Sequence, residues 1–522
     1  MDLFIKTAML VLFFGTMIGV GLYCRKKSTD VDGFVLGGRS VGPWLTAFAY
    51  GTSYFSAVVF VGYAGQFGWK YGIASTWAGI GNAIIGSLMA WAILGRRTRI
   101  MSQHLNSATM PQFFQGRFDS KKLKLAASVV IFIFLIPYTA SLYNGLSRLF
   151  GMAFNIDYSV CVIAMAVLTA VYVIAGGYMA TAINDFIQGI IMLFGIIAVI
   201  VAVLNNHGGL TEAIKELSLV TDPAVSDTPG AFTSFFGPDA LNLAGVVLLT
   251  SLGTWGLPQM VQKFYAIKNE KAINKGMIIS TIFALVVAGG CYFLGGFARL
   301  YGDKVDVTTQ GFDAIIPAML VDLSPILIAI VVILVLSASM STLSSLVLAS
   351  SSTLTLDFIK GTLVKDLSEK KQLLIMRVLI AVFIAISVVL AIVQYNSNVT
   401  FIAQLMGISW GALAGAFLAP FLYGLYWKRA SAASVWASFI FSVVVMTANI
   451  LVPSLFPEII RSPINCGVFC MLAGLIIVPA VSLCSRPPKH EHIQQVFSCY
   501  DKKVVVSVTD AIGEPITKEE KE

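Results

Sequence analysis

Long apolar runs alternate with short polar ones along almost the whole chain. The apolar runs cover residues 3–24, 43–68, 72–95, 125–149, 158–175, 182–204, 241–262, 276–300, 321–352, 373–394, 399–426, 431–453 and 464–484. Most exceed the roughly 17–20 residues a helix needs to cross a hydrocarbon core, so the pattern predicts about thirteen transmembrane helices. The expected class is therefore an all-α polytopic membrane protein. Residues 1–485 should form the transmembrane unit and 486–522 a mobile cytosolic tail. The first run is expected to stay in the chain: it is too long for the core of a signal peptide, and Arg25, Lys26 and Lys27 follow it rather than precede it.

Two of the runs break their helical pattern in a similar way. The second contains Tyr50-Gly51-Thr52-Ser53-Tyr54-Phe55-Ser56, and the seventh contains Thr250-Ser251-Leu252-Gly253-Thr254-Trp255-Gly256-Leu257-Pro258-Gln259. Glycine and proline at membrane depth free backbone groups that only protein or a wet cavity can satisfy. Either break alone reads equally well as a glycine-lined packing face. Their separation by five crossings favours an inverted repeat with a binding site at the midplane.

Composition and charge sharpen this picture. The chain is 57% hydrophobic and only 12% charged, outside the range of soluble domains. Its net charge of +8 is unevenly distributed. With the N-terminus outside, the inner segments 25–39, 96–124, 263–275, 360–377, 428–429 and 486–522 hold 28 of the 35 Lys and Arg residues. Lys6, Lys70, Arg148, Lys215, Arg299, Lys304 and Arg461 fall outside. Such asymmetry sets topology, with the C-terminus cytoplasmic and the helix count odd, and argues against a nucleic-acid partner. The seven cysteines are scattered through apolar stretches and read as small core residues. All four histidines lie in loops or the tail, and no phosphate-binding loop is present, so neither an enzymatic cluster nor ATP drive is expected.

Two features could carry chemistry. Asp185, beside Asn184 and followed by Gln188, lies at the inner start of the sixth run. It reads either as a cation relay or as a helix N-terminal acid facing the macrodipole. Ser337, Ser339, Ser341, Thr342, Ser344 and Ser345 share the ninth run. Hydroxyls and freed carbonyls suit a dehydrated sodium ion, and a serine-rich face equally suits close helix packing.

The chain resembles the sodium:solute symporter family, which includes bacterial proline and pantothenate carriers. The likeness rests on Gly33-Phe-Val-Leu-Gly-Gly-Arg-Ser40 with Gly42-Pro43, on Gly176-Gly-Tyr-Met-Ala-Thr-Ala-Ile-Asn-Asp185-Phe-Ile-Gln188, and on Ala338-Ser-Met-Ser341-Thr342-Leu-Ser344. It implies a leucine-transporter-type fold with a 5+5 inverted repeat, 43–204 and 241–426. It also implies a sodium site built from the carbonyls of Thr52, Phe55 and Ala338 and the hydroxyls of Ser341 and Thr342, with Asp185 on the inward sodium path. Tyr138 matches a pocket tyrosine of proline carriers. Tyr54 stands where those carriers place an aspartate, and Thr250 and Thr254 where they place a tryptophan and a tyrosine, with Trp255 one step on.

Together these readings lead to a plasma-membrane carrier, in a bacterium an inner-membrane one, that brings in a small organic solute with sodium. The solute would be a proline-like amino acid or a pantothenate-like monocarboxylate. Sodium is the coupling ion and no cofactor is expected. The expected solute pocket draws on Ser53, Tyr54, Ser56, Tyr138, Thr250, Thr254, Trp255 and Gln259. A solute sensor and a proton-coupled carrier on the same fold are the alternatives.

Overall fold

The computed structural model describes residues 2–25, 30–53, 55–154, 156–360, 363–364, 367–397 and 402–501. Among them the structure is helical, with isolated bridges and no strands. We label the main helices α1 (Asp2–Cys24), α2a (Pro43–Thr52), α2b (58–71), α3 (76–104), α4 (Lys121–Phe154), α5 (158–176) and α6 (178–205). There follow α7a (Ala240–Leu252), α7b (Pro258–Ala266), α8 (Glu270–Gly295), α9 (Pro325–Thr353), α10 (Glu369–Ser397), α11 (Ile402–Tyr426), α12 (Ala432–Leu451), α13 (Pro463–Cys484) and α14 (His490–Phe497).

Among the described residues, ten helical stretches are long and apolar enough to cross a membrane, or eleven if the bent pair α7a–α7b is one span. That is two fewer than the sequence pattern suggests, for two local reasons. The stretch Val58–His104 passes as one span although Gly72 turns it, and Tyr158–Val171 is too short to pass alone. At Gly72 φ is +62°, and a Cβ there would lie 2.0 Å from the Phe232 carbonyl oxygen, so only glycine fits this turn. Gly177, at φ +57°, likewise separates α5 from α6, with the backbone of Phe34 packed against it.

The bundle is organised around α9 and α11. Every residue of α9 from Val331 to Thr353 is buried, and α11 is buried along nearly all its length. Neither helix shows an amphipathic face, as expected for helices surrounded by protein. Small residues let the others approach closely. A Cβ on Gly68 would sit 1.8 Å from the Gly295 carbonyl oxygen, which brings α2b and α8 into backbone contact.

The end bearing the tail is sealed by the segment that carried the first family motif. Val41 N–H donates to the Ala266 carbonyl (3.3 Å), and Lys268 N–H donates to the Val41 carbonyl (3.0 Å). Arg39 donates to the carbonyls of Ser107 (2.7 Å) and Tyr265 (3.3 Å), and Gln262 donates to that of Val35 (2.9 Å).

Two stretches outside the main helices are ordered, the second of them in the tail expected to be mobile. The 205–239 loop contains the helix Leu210–Leu219, which buries Ala213 and Leu217 at its i, i+4 spacing. Arg299 clips the loop to the bundle by pairing with Asp222, while its guanidinium stacks on Trp69 and Phe232. That pairing holds the Asp222 carboxyl below the usual carboxylate range. On the same end Asp313 is buried 3.9 Å from Arg148; burial pushes its carboxyl upward, and the arginine opposes this. The first part of the tail also packs: Ile493, Val496 and Phe497 put an apolar face of α14 against the bundle. Residues 502–522 lie outside the described residues.

Candidate functional site

The two expected breaks are present. Helix α2 is interrupted between Thr52 and Val58, and α7 turns tightly through Gly253–Gly256 before restarting at Pro258, with a bend of 48°. Pro258 at the first position of α7b needs no backbone donor, so it starts the half-helix without cost. Both breaks are buried. Their freed backbone groups must therefore find partners inside the protein.

At the α2 break the partners are hydroxyls of α9. Ser341 Oγ donates to the carbonyls of Thr52 (3.2 Å) and Ala338 (3.0 Å). Thr342 Oγ1 lies within hydrogen-bond reach of the carbonyls of Thr52 (3.1 Å), Phe55 (3.3 Å) and Ala338 (3.1 Å). Five oxygens from two helices thus converge in a space closed to solvent. None is charged. Such a set suits a hard, weakly charged ion, which would replace the hydroxyl protons as partner of the carbonyls.

One helical turn along α9, towards the tail end, a second polar group begins. Ser345 Oγ lies 3.1 Å from Ser53 Oγ and accepts a hydrogen bond from Lys263 Nζ at 3.0 Å. Lys263 Nζ is also 3.8 Å from the Asp185 carboxylate, and both side chains are fully buried. The ring of Tyr178 lies 5.1 Å from the same ammonium. Ser53 therefore belongs to this chain of groups. Lys263 escaped sequence reasoning, and Ser345 was named there only as one of the hydroxyls of the ninth run. Lys263 counted as an inner-loop cation, although its place five residues beyond Pro258 puts it on the half-helix.

At the α7 break the expected pocket residues divide. Thr250 donates to the carbonyl of Val246 within its own helix (2.9 Å). Thr254 donates to the carbonyls of Gly86 (3.2 Å) and Ser251 (2.8 Å), and Trp255 Nε1 donates to that of Ile85 (2.9 Å). Tyr50 reaches the same Gly86 carbonyl from α2a (2.8 Å). The polar groups of Thr254 and Trp255 thus anchor the break to α3, whose widened turns over Asn82–Met89 free these carbonyls.

A different set faces the opposite side of the break. Tyr138 of α4 meets Trp410 of α11 edge-to-face at 5.9 Å, and the Trp410 ring covers Gly253, where a Cβ would approach it to 3.1 Å. Both amide atoms of Gln259 are buried without hydrogen-bond partners among the described residues, while the Tyr138 hydroxyl approaches Ser56 and the Trp410 indole N–H. Ser56 Oγ accepts from the Val58 N–H (3.2 Å). Buried polar groups left open near one break are what a polar, uncharged pocket wall presents to a solute. Trp410 was absent from the sequence expectation, since no periodic signal singles it out on an apolar helix. Tyr54 lies outside the described residues.

An all-helical membrane bundle with two buried broken helices and a hydroxyl-bearing helix between them has the architecture of a secondary carrier. The chain belongs to the sodium:solute symporter family, whose profile matches residues 34–441. Among relatives, it is 30% identical over 458 residues to the sodium/proline symporter of Staphylococcus aureus, covering 84% of this chain and 85% of that one. It is 29% identical over 422 residues to the osmoregulated proline transporter OpuE of Bacillus subtilis, covering 80% and 83%. A sodium-coupled sialic acid symporter in a substrate-bound outward-open state superposes with a TM-score of 0.76 at 18% identity, over 93% and 98% of the two chains. The fold is thus of the leucine-transporter type. Family membership makes the chain a multi-pass membrane transporter for sodium and a small organic solute.

Proposed function

We propose that this carrier moves a small amino acid of the proline type inward together with sodium, by alternating access. The observation that carries the reading is the convergence of the Thr52, Phe55 and Ala338 carbonyls on the Ser341 and Thr342 hydroxyls. In this reading sodium occupies that cage and orders the α2 break, and the solute lies between Tyr138, Trp410 and the start of α7b. A half-helix N-terminus at the midplane suits a solute carboxylate, and the uncharged Gln259 amide suits a zwitterion better than a second net charge. The two relatives whose names specify proline support this solute class.

The same reading places thirteen crossings in the membrane, with 43–204 and 241–426 as inverted repeats and the tail end cytoplasmic. The excess of Lys and Arg at that end supports the orientation. Sodium would leave toward the cytosol past Asp185. Coupling follows because sodium orders backbone that the solute also needs, so each ligand raises the other's affinity by one factor.

The test is uptake into proteoliposomes under an inward sodium gradient, with labelled proline, other small amino acids and pantothenate. We expect accumulation of proline or a close analogue, abolished when choline replaces sodium at constant pH. Accumulation of pantothenate alone would move the solute class, and sodium-independent uptake would refute the cage.

A further inference from the structure

Lys263 is the feature that the sodium reading leaves without a role. It is a basic side chain, wholly buried, on the half-helix that follows the α7 break. Its ammonium is held by two groups: the Asp185 carboxylate at 3.8 Å and the Ser345 hydroxyl at 3.0 Å. Neither Asp185 oxygen has a hydrogen-bond partner among the described residues, so Lys263 is the cation that compensates this carboxylate. Ser345 lies one helical turn from Ser341 and Thr342, and it touches Ser53, the residue next to the cage carbonyl of Thr52. A carboxylate and a hydroxyl around a small cation, on the face of α9 that also forms the sodium cage, amount to a second cation position. The chain's own ammonium fills it.

We propose that Lys263 is a tethered competitor cation: it occupies the Asp185–Ser345 position, so that one mobile sodium is carried per cycle and that ion must displace the ammonium from Asp185 to leave. The inference rests on the sodium reading above. It assigns the pair a part in release and stoichiometry that packing alone would not supply.

The charges make the consequences specific. With Asp185 and Lys263 both present, the pair is neutral as seen from the cage. Removing only the carboxylate leaves an uncompensated ammonium on Ser345, one helical turn from the cage hydroxyls, which weakens sodium binding on the order of tenfold or more. Removing only the ammonium leaves a buried carboxylate across the vacated position from Ser345. A lone buried charge is unfavourable unless paired, so this position recruits a second sodium. Removing both restores neutrality and a single ion.

The experiment is equilibrium binding of radioactive sodium to the purified full-length protein without solute, together with the sodium dependence of uptake. Wild type should bind one ion per chain. Lys263→Met should bind two and show a steeper sodium dependence, whereas Lys263→Arg, which keeps the charge, should bind one. Asp185→Asn should lose sodium affinity, and Asp185→Asn combined with Lys263→Met should recover it. That recovery keeps the test valid if Lys263→Met alone fails to fold, because a purely structural pair would not regain affinity when both partners are gone. One ion at unchanged affinity in Lys263→Met, or a double variant no better than Asp185→Asn, would overturn the proposal. Absence of sodium binding in wild type would instead refute the underlying sodium reading.

Discussion

Removal of the two cage hydroxyls is the most direct perturbation of the coupling ion. In Ser341→Ala/Thr342→Ala, two of the five converging oxygens are lost. A contact between a hydroxyl and a charged group contributes about 1.5–3 kcal/mol, while a neutral hydrogen bond contributes about 0.5–1.5 kcal/mol. Sodium entering the proposed cage would gain the first and give up the second, because each hydroxyl proton must turn away from a carbonyl. The net advantage is about 1–1.5 kcal/mol per hydroxyl, so the double variant should lose about 2–3 kcal/mol, or about 30- to 150-fold in sodium affinity. Thr342→Ser keeps the oxygen and should stay close to wild type. The assay is the half-saturating sodium concentration for uptake in proteoliposomes, with the solute KM measured at low and at saturating sodium. By linkage, the solute KM should rise in the double variant at low sodium and recover as sodium saturates. An unchanged half-saturating sodium concentration in the double variant would show that these oxygens do not hold the ion.

Three other outcomes follow from the geometry. Gln259→Ala and Tyr138→Phe should each raise the solute KM about 2- to 10-fold, the loss of one hydrogen bond, while leaving the sodium requirement at saturating solute unaltered; an unaltered KM in both would remove them from the pocket wall. Gly68→Ala forces a Cβ to within 1.8 Å of the Gly295 carbonyl oxygen and should lower the folded yield and Tm sharply, whereas Gly19→Ala, with nothing within 4 Å, should not. The Asp222–Arg299 clip lowers the Asp222 carboxyl, so its contribution is present above the unfolded value of about 3.9 and is lost as pH falls through the lower folded value. Protease access to 205–239 should therefore be low at neutral pH and rise only in strong acid. Asp222→Asn should be open at neutral pH already, and equal protection there would remove the clip's role.

Class and overall plan were legible because lipid imposes a coarse rule, long apolar runs with basic ends, that depends on composition and not on side-chain direction. The breaks were legible because Gly51, Gly253 and Pro258 act on the backbone itself. The five cage oxygens came from a resemblance rather than from spacing, since nothing in the chain's periodicity pairs Thr52 with Thr342 across 290 positions. The packing around the α7 break was less legible for a geometric reason. A tight turn such as Gly253–Gly256 changes the helical phase, so Thr254 and Trp255 turned to α3 while Trp410, on an unremarked apolar helix, came to face Tyr138. Lys263 was absorbed into a charge count that carries no information on depth. Its partner Asp185 lies in another helix, and only the tertiary fold brings the two together.

The tail shows that the hydrophobic profile and the folded unit end at different places. Apolar character stops at Cys484, yet Arg97 lies between the rings of Tyr426 (4.1 Å) and Tyr500 (4.6 Å), and Tyr500 also donates to the Leu425 carbonyl (3.3 Å). His492 contacts the Arg117 carbonyl (3.3 Å), and Phe497 stacks against the Arg117 guanidinium (4.9 Å). A boundary drawn for a truncated or fused version at Ser485, where hydropathy suggests it, would strip this cover from two arginines and the end of α11. Moved beyond Asp501, the boundary leaves the cover whole, so the place to attach a reporter is set by an aromatic clamp rather than by the membrane.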